Sequence, residues 1–332
     1  MNYPRTIHGR LRQALCALLL GAILGAPHVC AAGSDFGRFG SADVLLVVAP
    51  HPDDETLCCA GAIQRARAAG ARVAIVWITS GDAFELDAHI VEHRLFIGTQ
   101  GLLELARIRM QEASRAAQLL AVAPAERFFL GYPDGAVADL LGAHHDLPYR
   151  SPHTGAAAVP YAQAYLPGAA YTGTNLERDL RAVIERVQPT WVLAPTPLDA
   201  HEDHRATGDL VIRTMESLGR ADRVRYWIVH GGIGWPWPRG LHPEDALVPP
   251  RRARALPWQD FALSPAERDA KASAIRVYET QLRLTSSFML SFVKRNEIYS
   301  SAPLLPAQIQ REIAVKAAAA EDLTAPPRHT VK

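Results

Sequence analysis

The sequence predicts a single doubly wound, Rossmann-like α/β domain, with a mainly parallel sheet and long loops over its carboxyl edge. Three observations lead there. Short apolar runs of strand length recur along the chain. Helical patterns of 12 or more residues alternate with them, which is the signature of β-α-β units. The residues just after the runs are rich in His and Asp, and in such sheets ligands sit beyond the carboxyl ends of the strands.

The elements come in order. Asp43–Ala49 is a continuous apolar run and reads as a strand buried on both faces. Glu55–Ala69 reads as a helix with Gly70 as its stop, and Arg72–Thr79 as a second buried strand ending at Ser80-Gly81-Asp82. Such a unit is right-handed. Glu104–Leu120 is a helix pattern rich in Ala, Leu and Arg, and Arg127–Leu130 a short third strand running into Gly131-Tyr132-Pro133-Asp134-Gly135. Residues 136–175 lack periodicity, and a loop of that length is commonly functional. Leu176–Val187 is a helix closed by Pro189, and Thr190–Ala194 a fourth strand. His204–Leu218 is a helix with Asp203 as its expected N-cap, and Arg225–Val229 a fifth strand. Residues 230–262 read as an irregular surface segment, and Ser264-Pro265 opens a last long helix to about Leu282.

The chain of 332 residues is ordinary in hydrophobic (48%) and charged (21%) content, and its net charge is +1. A nucleic-acid partner usually needs a basic stripe, so this balance argues against one. Arg5, Arg10 and Arg12, the apolar run Ala14–Ala26 and the small residues Cys30, Ala31 and Ala32 read as a signal peptide over residues 1–32. The expected location is therefore periplasmic or secreted, with no stable membrane span in the mature chain; the alternative is an uncleaved anchor. The domain is expected over 41–318, with a flexible tail over 319–332. Cys58 and Cys59 are adjacent, poor partners for an ordinary structural disulfide, and read as small apolar filler on a buried helix face.

Two clusters carry the chemistry. One is Ala49-Pro50-His51-Pro52-Asp53-Asp54-Glu55 after strand one. The other runs from Pro195 to His201-Glu202-Asp203-His204 after strand four. Each group alone has an ordinary structural role: first-turn acids suit a helix dipole, and a lone His is commonly a surface residue. Three crowded acids, however, are costly to bury without a cation. Two such clusters at equivalent strand ends supply the His and carboxylate donors of a zinc site. No G-x-G-x-x-G comes after strand one, so a dinucleotide is unsupported.

With these residues the chain resembles the PIG-L/LmbE-like family of zinc-dependent N-deacetylases. Its H-P-D-D-E motif is matched by His51–Glu55, and its H-x-D-H motif by His201–His204, where Glu202 stands at a position commonly Pro. Thr79–Asp82, Arg109 with Glu112, Gly131–Gly135, and Lys271 with Tyr278 and Gln281 extend the match. The resemblance implies that His51, Asp54 and His204 bind Zn²⁺, that Asp53 is the general base, that His201 stabilises the oxyanion and that Asp203 orients His201. It implies sugar contacts from Arg109 and Asp134. The chemistry is coherent: zinc lowers the pKa of its water to about 7, a carboxylate moves the proton, and an oxyanion donor is worth about 3 kcal/mol. An N/O ligand set also admits Fe²⁺ or Co²⁺.

The implied reaction is hydrolysis of the N-acetyl group of an amino sugar in a GlcNAc-type glycoconjugate, releasing acetate. The alternatives are an amidase for another N-acyl conjugate, and a non-catalytic exported protein that binds carbohydrate or metal. Asp53 and His201 beside the ligands speak against the last. Trp235, Trp237, Tyr149 and Tyr165 are candidate aromatic faces for a pyranose, and His230, just after strand five, is the best placed of the spare histidines His144, His145, His153 and His230.

Overall fold

The computed structural model describes residues 36–83 and 98–304. The expected signal segment 1–32 and tail 319–332 lie outside the described residues. The chain divides into two units, Met1–Arg38 and Phe39–Lys332. The sheet, the helices and the site all belong to the second unit.

Seven strands form one sheet in the order β3-β2-β1-β4-β5-β7-β6. Strands β1 (Val44–Ala49), β2 (Arg72–Thr79), β3 (Arg127–Tyr132), β4 (Trp191–Pro195) and β5 (Val224–Trp227) are all parallel. Strand order reverses at β1, with β2 on one side and β4 on the other. The carboxyl ends of β1 and β4 are thus neighbours at the switch point, where this architecture opens its crevice. The two strands are apolar throughout and almost wholly buried, the pattern of a sheet covered on both faces.

Helices α1 (Asp54–Ala68), α2 (Thr99–Leu119), α3 (Val137–Leu141), α4 (Gly173–Val187), α5 (Glu202–Ser217), α6 (Pro265–Ile275) and α7 (Glu279–Leu290) cover the sheet. Their ends obey local chemistry. Thr172 accepts from the N–H of Asn175 to cap α4, and Gln188 closes it in the left-handed region. Ser264 and Glu267 form a reciprocal capping box on α6, with Pro265 in its first turn.

The structure corrects four expectations. The last long helix is two, α6 and α7, because the chain turns at Tyr278 to aim its hydroxyl at the Glu55 carboxylate. Two strands were not foreseen, β6 (Trp258–Ala262) and β7 (Asn296–Ser300), which add antiparallel beyond β5. β7 is fully buried yet polar, so it escapes a search for apolar runs. Helix α5 starts two residues earlier than expected, with His201 and not Asp203 as its N-cap. Finally, Cys58 and Cys59 are buried on α1 as expected, but they are also joined to each other by a disulfide.

Among the described residues no helix is long and apolar enough to cross a membrane.

Candidate metal centre and active site

The turn after β1 and the first turn of α5 bring three donors together. His51 Nδ1 lies 3.3 Å from Asp54 Oδ2 and 3.2 Å from His204 Nε2, and His204 Nε2 lies 3.1 Å from Asp54 Oδ2. Zn–N and Zn–O bonds of about 2.0–2.1 Å in a tetrahedron put neighbouring donor atoms roughly 3.3 Å apart. All three residues are buried, and the triangle they form has the size of one face of such a site.

Each imidazole turns its other nitrogen to a carboxylate. His204 Nδ1 lies 3.2 Å from Asp199 Oδ2. His51 Nε2 lies 3.2 Å from Asp203 Oδ2 and 3.1 Å from Asp134 Oδ1. Such outer carboxylates fix the tautomer and ring direction of a ligating histidine. Four carboxylates (Asp54, Asp134, Asp199, Asp203) therefore surround two buried imidazoles. Burial lowers the affinity of His204 for a proton, but Asp54 and Asp199 outweigh it and raise its pKa to about 9. His51 is likewise raised, against burial, by Asp134, Asp203 and Asp54. The cluster demands positive charge, and protons supply it where no cation does. Donor type, spacing and charge all fit a divalent ion.

Asp199 is the residue that sequence reasoning passed over. Its Oδ1 accepts from the N–H of His201, and its Oδ2 accepts from those of Val229 and His230. It thus ties the loop after β4 to the end of β5 while facing His204. Burial alone would raise its pKa, but His204 and these donors hold it down to about 2. Its position four residues after β4 was the only signal available.

Asp53 precedes Asp54 at a backbone φ of 124°, a conformation rarely adopted by residues with a side chain. Two buried groups hold it there. Glu55 accepts from the Asp53 N–H, and Arg109 Nη2 donates to Pro52 O at 3.0 Å and Asp53 Oδ2 at 3.3 Å. The Asp53 carboxylate meets Arg109 and lines the same cavity as His51 and Asp54. Burial raises its pKa to about 8, with Arg109 opposing and Asp54 adding to the rise.

His201 lines the same cavity. Its Nδ1 accepts from the backbone N–H of Asp203, at 3.2 Å, so the neutral ring carries its proton on Nε2. Burial, then the neighbouring His51 and His204, lowers its pKa to about 4, which keeps it a neutral donor. Asp203, expected to orient His201, meets that ring through its backbone N–H. Its carboxylate serves His51 and accepts from the N–H groups of Gly135 and Val137; only its backbone meets His201.

Arg109 and Asp134 both line the cavity but are engaged by the protein. Arg109 Nη1 donates to Gly81 O at 3.0 Å, and a side chain at Gly81, itself at φ 69°, would collide with the guanidinium. Asp134 faces His51 and lies 3.9 Å from Arg109. Of the four candidate aromatic residues, Trp235 lines the cavity. Trp237 is 74% exposed, Tyr149 meets His144 and Tyr165 meets Phe128. Of the spare histidines, His230 lines the cavity, its ring 4.7 Å from that of His204.

A doubly wound sheet with a buried His/Asp donor triangle at its switch point defines an α/β protein with a candidate metal site. Residues 46–215 match the PIG-L family, described as GlcNAc-PI de-N-acetylase, and the chain belongs to that family. It is 30% identical over 229 residues to a 1D-myo-inositol 2-acetamido-2-deoxy-alpha-D-glucopyranoside deacetylase of Nakamurella multipartita, covering 66% of this chain and 62% of that one. The chain thus spans somewhat under two thirds of that relative's length. Among solved structures, the A40926 pseudoaglycone deacetylase superposes with a TM-score of 0.50 at 17% identity, covering 77% of this chain and 95% of the other. An N,N'-diacetylchitobiose deacetylase from Pyrococcus horikoshii has a TM-score of 0.48 at 20% identity, covering 91% and 95%.

Proposed function

We propose that the chain is a zinc-dependent N-deacetylase of an N-acetylated amino-sugar conjugate, with His51, Asp54 and His204 as the metal ligands. The observation that carries this reading is the triangle of donor atoms 3.1–3.3 Å apart, with both imidazoles backed by carboxylates. Family membership supports it, as does the Nakamurella relative, whose name describes a deacetylase of an acetamido sugar.

A divalent ion held by these residues would supply Lewis acidity, acidifying water and polarising the amide oxygen. The rest falls to the chain. Asp53, next to Asp54 in the chain and lining the same cavity, takes the proton of the attacking water and delivers it to the departing nitrogen. Arg109 keeps that carboxylate aimed. His201, neutral with its proton on Nε2, donates to the oxygen on which negative charge develops. Asp199 and Asp203 hold the two ligating rings in the tautomers that free Nε2 of His204 and Nδ1 of His51.

The test is acetate release from a panel of N-acetylglucosaminides by purified protein, with metal content measured in parallel. We expect one equivalent of zinc, lost in His204→Ala. A protein that binds no divalent ion, or that binds one and releases no acetate from any member, removes the proposal. The sequence pattern of residues 1–32 supports export to the periplasm or medium; a secreted fraction still carrying Met1 would contradict cleavage near Ala32.

A further inference from the structure

The cavity over the donor triangle has a volume of about 800 Å³. That lies in the upper part of the range for drug-sized ligands, roughly 300–1,000 Å³, and exceeds what one pyranose with its acetyl group fills. Its two sides differ in chemistry. Asp53, Arg109 and Asp134 make one side polar. The other begins at His201 and His230 and continues as Val229, Ile233, Trp235, Leu284, Phe288 and Met289, with Arg239, Gln281, Thr285 and Ser287 interspersed among them. The His230 ring, 4.7 Å from that of His204, lies nearly parallel to that of Phe288, at 5.6 Å and 17°, and so links the donor triangle to the apolar wall. Arg239 covers the Phe288 ring at 4.8 Å. Ile233 is fully exposed and Leu284 is 39% exposed, so the wall stays open where the cavity meets solvent.

The reaction has a direction in this space. Asp53 must reach the amide nitrogen, which puts the nitrogen and its sugar on the polar side. The carbonyl oxygen faces His201. The fourth substituent of the reacting carbon, the remainder of the acyl group, then points away from Asp53, along His230 toward Phe288. A methyl group would leave this wall bare.

We propose that the site hydrolyses N-acyl groups longer than acetyl, with a straight medium-length alkanoyl chain lying on the wall from Val229 to Met289. This rests on the reading of the site as an amide hydrolase. The reaction needs only water: its oxygen bonds to the acyl carbon, the C–N bond breaks, and the proton taken by Asp53 goes to the nitrogen. The products are an alkanoate and the free amine.

Each methylene that moves from water onto the wall favours binding about fourfold (about 0.8 kcal/mol). The experiment uses the full zinc-loaded protein with N-acetyl-, N-butanoyl- and N-hexanoylglucosamine, and with the hexyl glycoside of N-acetylglucosamine. We expect kcat/KM to rise from acetyl to hexanoyl by at least about tenfold, since burial of the chain is partial. Hexanoate should also bind at least about tenfold more tightly than acetate by calorimetry. Ile233→Ser and Leu284→Ser, both at exposed positions, should each lower the hexanoyl-to-acetyl ratio by about threefold or more. A hexanoyl substrate turned over more slowly than acetyl overturns the proposal. So does a gain confined to the hexyl glycoside, which would assign the wall to the aglycone. Failure with all four substrates would instead defeat the amide-hydrolase reading itself, and this proposal with it.

Discussion

Asp53 and Asp54 are chemically identical neighbours with opposite surroundings. Asp54 faces two imidazoles, and although burial opposes ionisation, His204 and His51 hold its pKa well below the usual range. Asp53 sits at a strained backbone angle, with its N–H on Glu55 and its carboxylate on Arg109. We therefore expect Asp53→Ala to retain zinc and to lose turnover by roughly 10²–10⁴-fold; unchanged kcat would remove Asp53 from proton transfer. Asp199 stands behind His204, at one remove from the donor triangle. Asp199→Asn keeps one of its two backbone-accepting oxygens and loses the charge behind His204, and should weaken zinc affinity by roughly 10–100-fold in a competition titration with a chelator. Equal affinity would show that His204 needs no carboxylate behind it. The trio of donors that meet was legible because H-P-D-D-E and H-x-D-H are local patterns at strand ends. Asp199 was not, because its role depends on meeting His204, Val229 and His230 at once.

At the scale of elements, the site is held by buried polar ties between segments far apart in sequence. Glu55 accepts from Trp77 of β2 and from Tyr278 before α7. Glu112 of α2 accepts from both the backbone and the hydroxyl of Thr280. Glu297 of β7 accepts from the N–H groups of Gly61 and Ala62 in α1, from Tyr299 and from Lys271 of α6 at 2.8 Å. Lys271 and Glu297 are fully buried. Removing one partner strands the other's charge, so Lys271→Met should destabilise the chain by about 3–5 kcal/mol in urea unfolding. A change under about 1 kcal/mol would mean that the neutral donors suffice for Glu297. These ties explain the corrected elements. A strand that reads Asn-Glu-Ile-Tyr-Ser does not announce burial, because its polar groups find partners only after α1 and α6 have packed.

For the whole molecule, pH couples to folding through groups whose burial changes their proton affinity. Asp82 lies between β2 and the loop after β3, accepting from the N–H of Asp134 and the hydroxyl of Tyr161. Burial raises its pKa to about 7; the Asp134 N–H opposes this and the Asp134 charge adds to it. An unfolded Asp titrates near 3.9. Between about pH 4 and 7 the folded chain therefore binds more protons at this site, and stability falls as pH rises, by at most about 1.4 kcal/mol per unit, levelling off above about 7. Asp82→Asn cannot titrate. The unfolding free energy of the parent relative to this variant should decline across that window, and parallel curves from pH 4.5 to 7.5 would refute the buried-proton account.

The sequence by itself determined the five parallel strands, their order of chemistry and the residues that meet at the switch point. Those are matters of local period and of the residue types placed just beyond each strand, and a hydrophobic run has few other places to go. Only the tertiary structure decided the two antiparallel edge strands, the break before α7, the partner of Asp203 and the apolar wall of the cavity. Each of these turns on a buried polar or apolar contact between distant segments, and such contacts leave no period in the sequence to read.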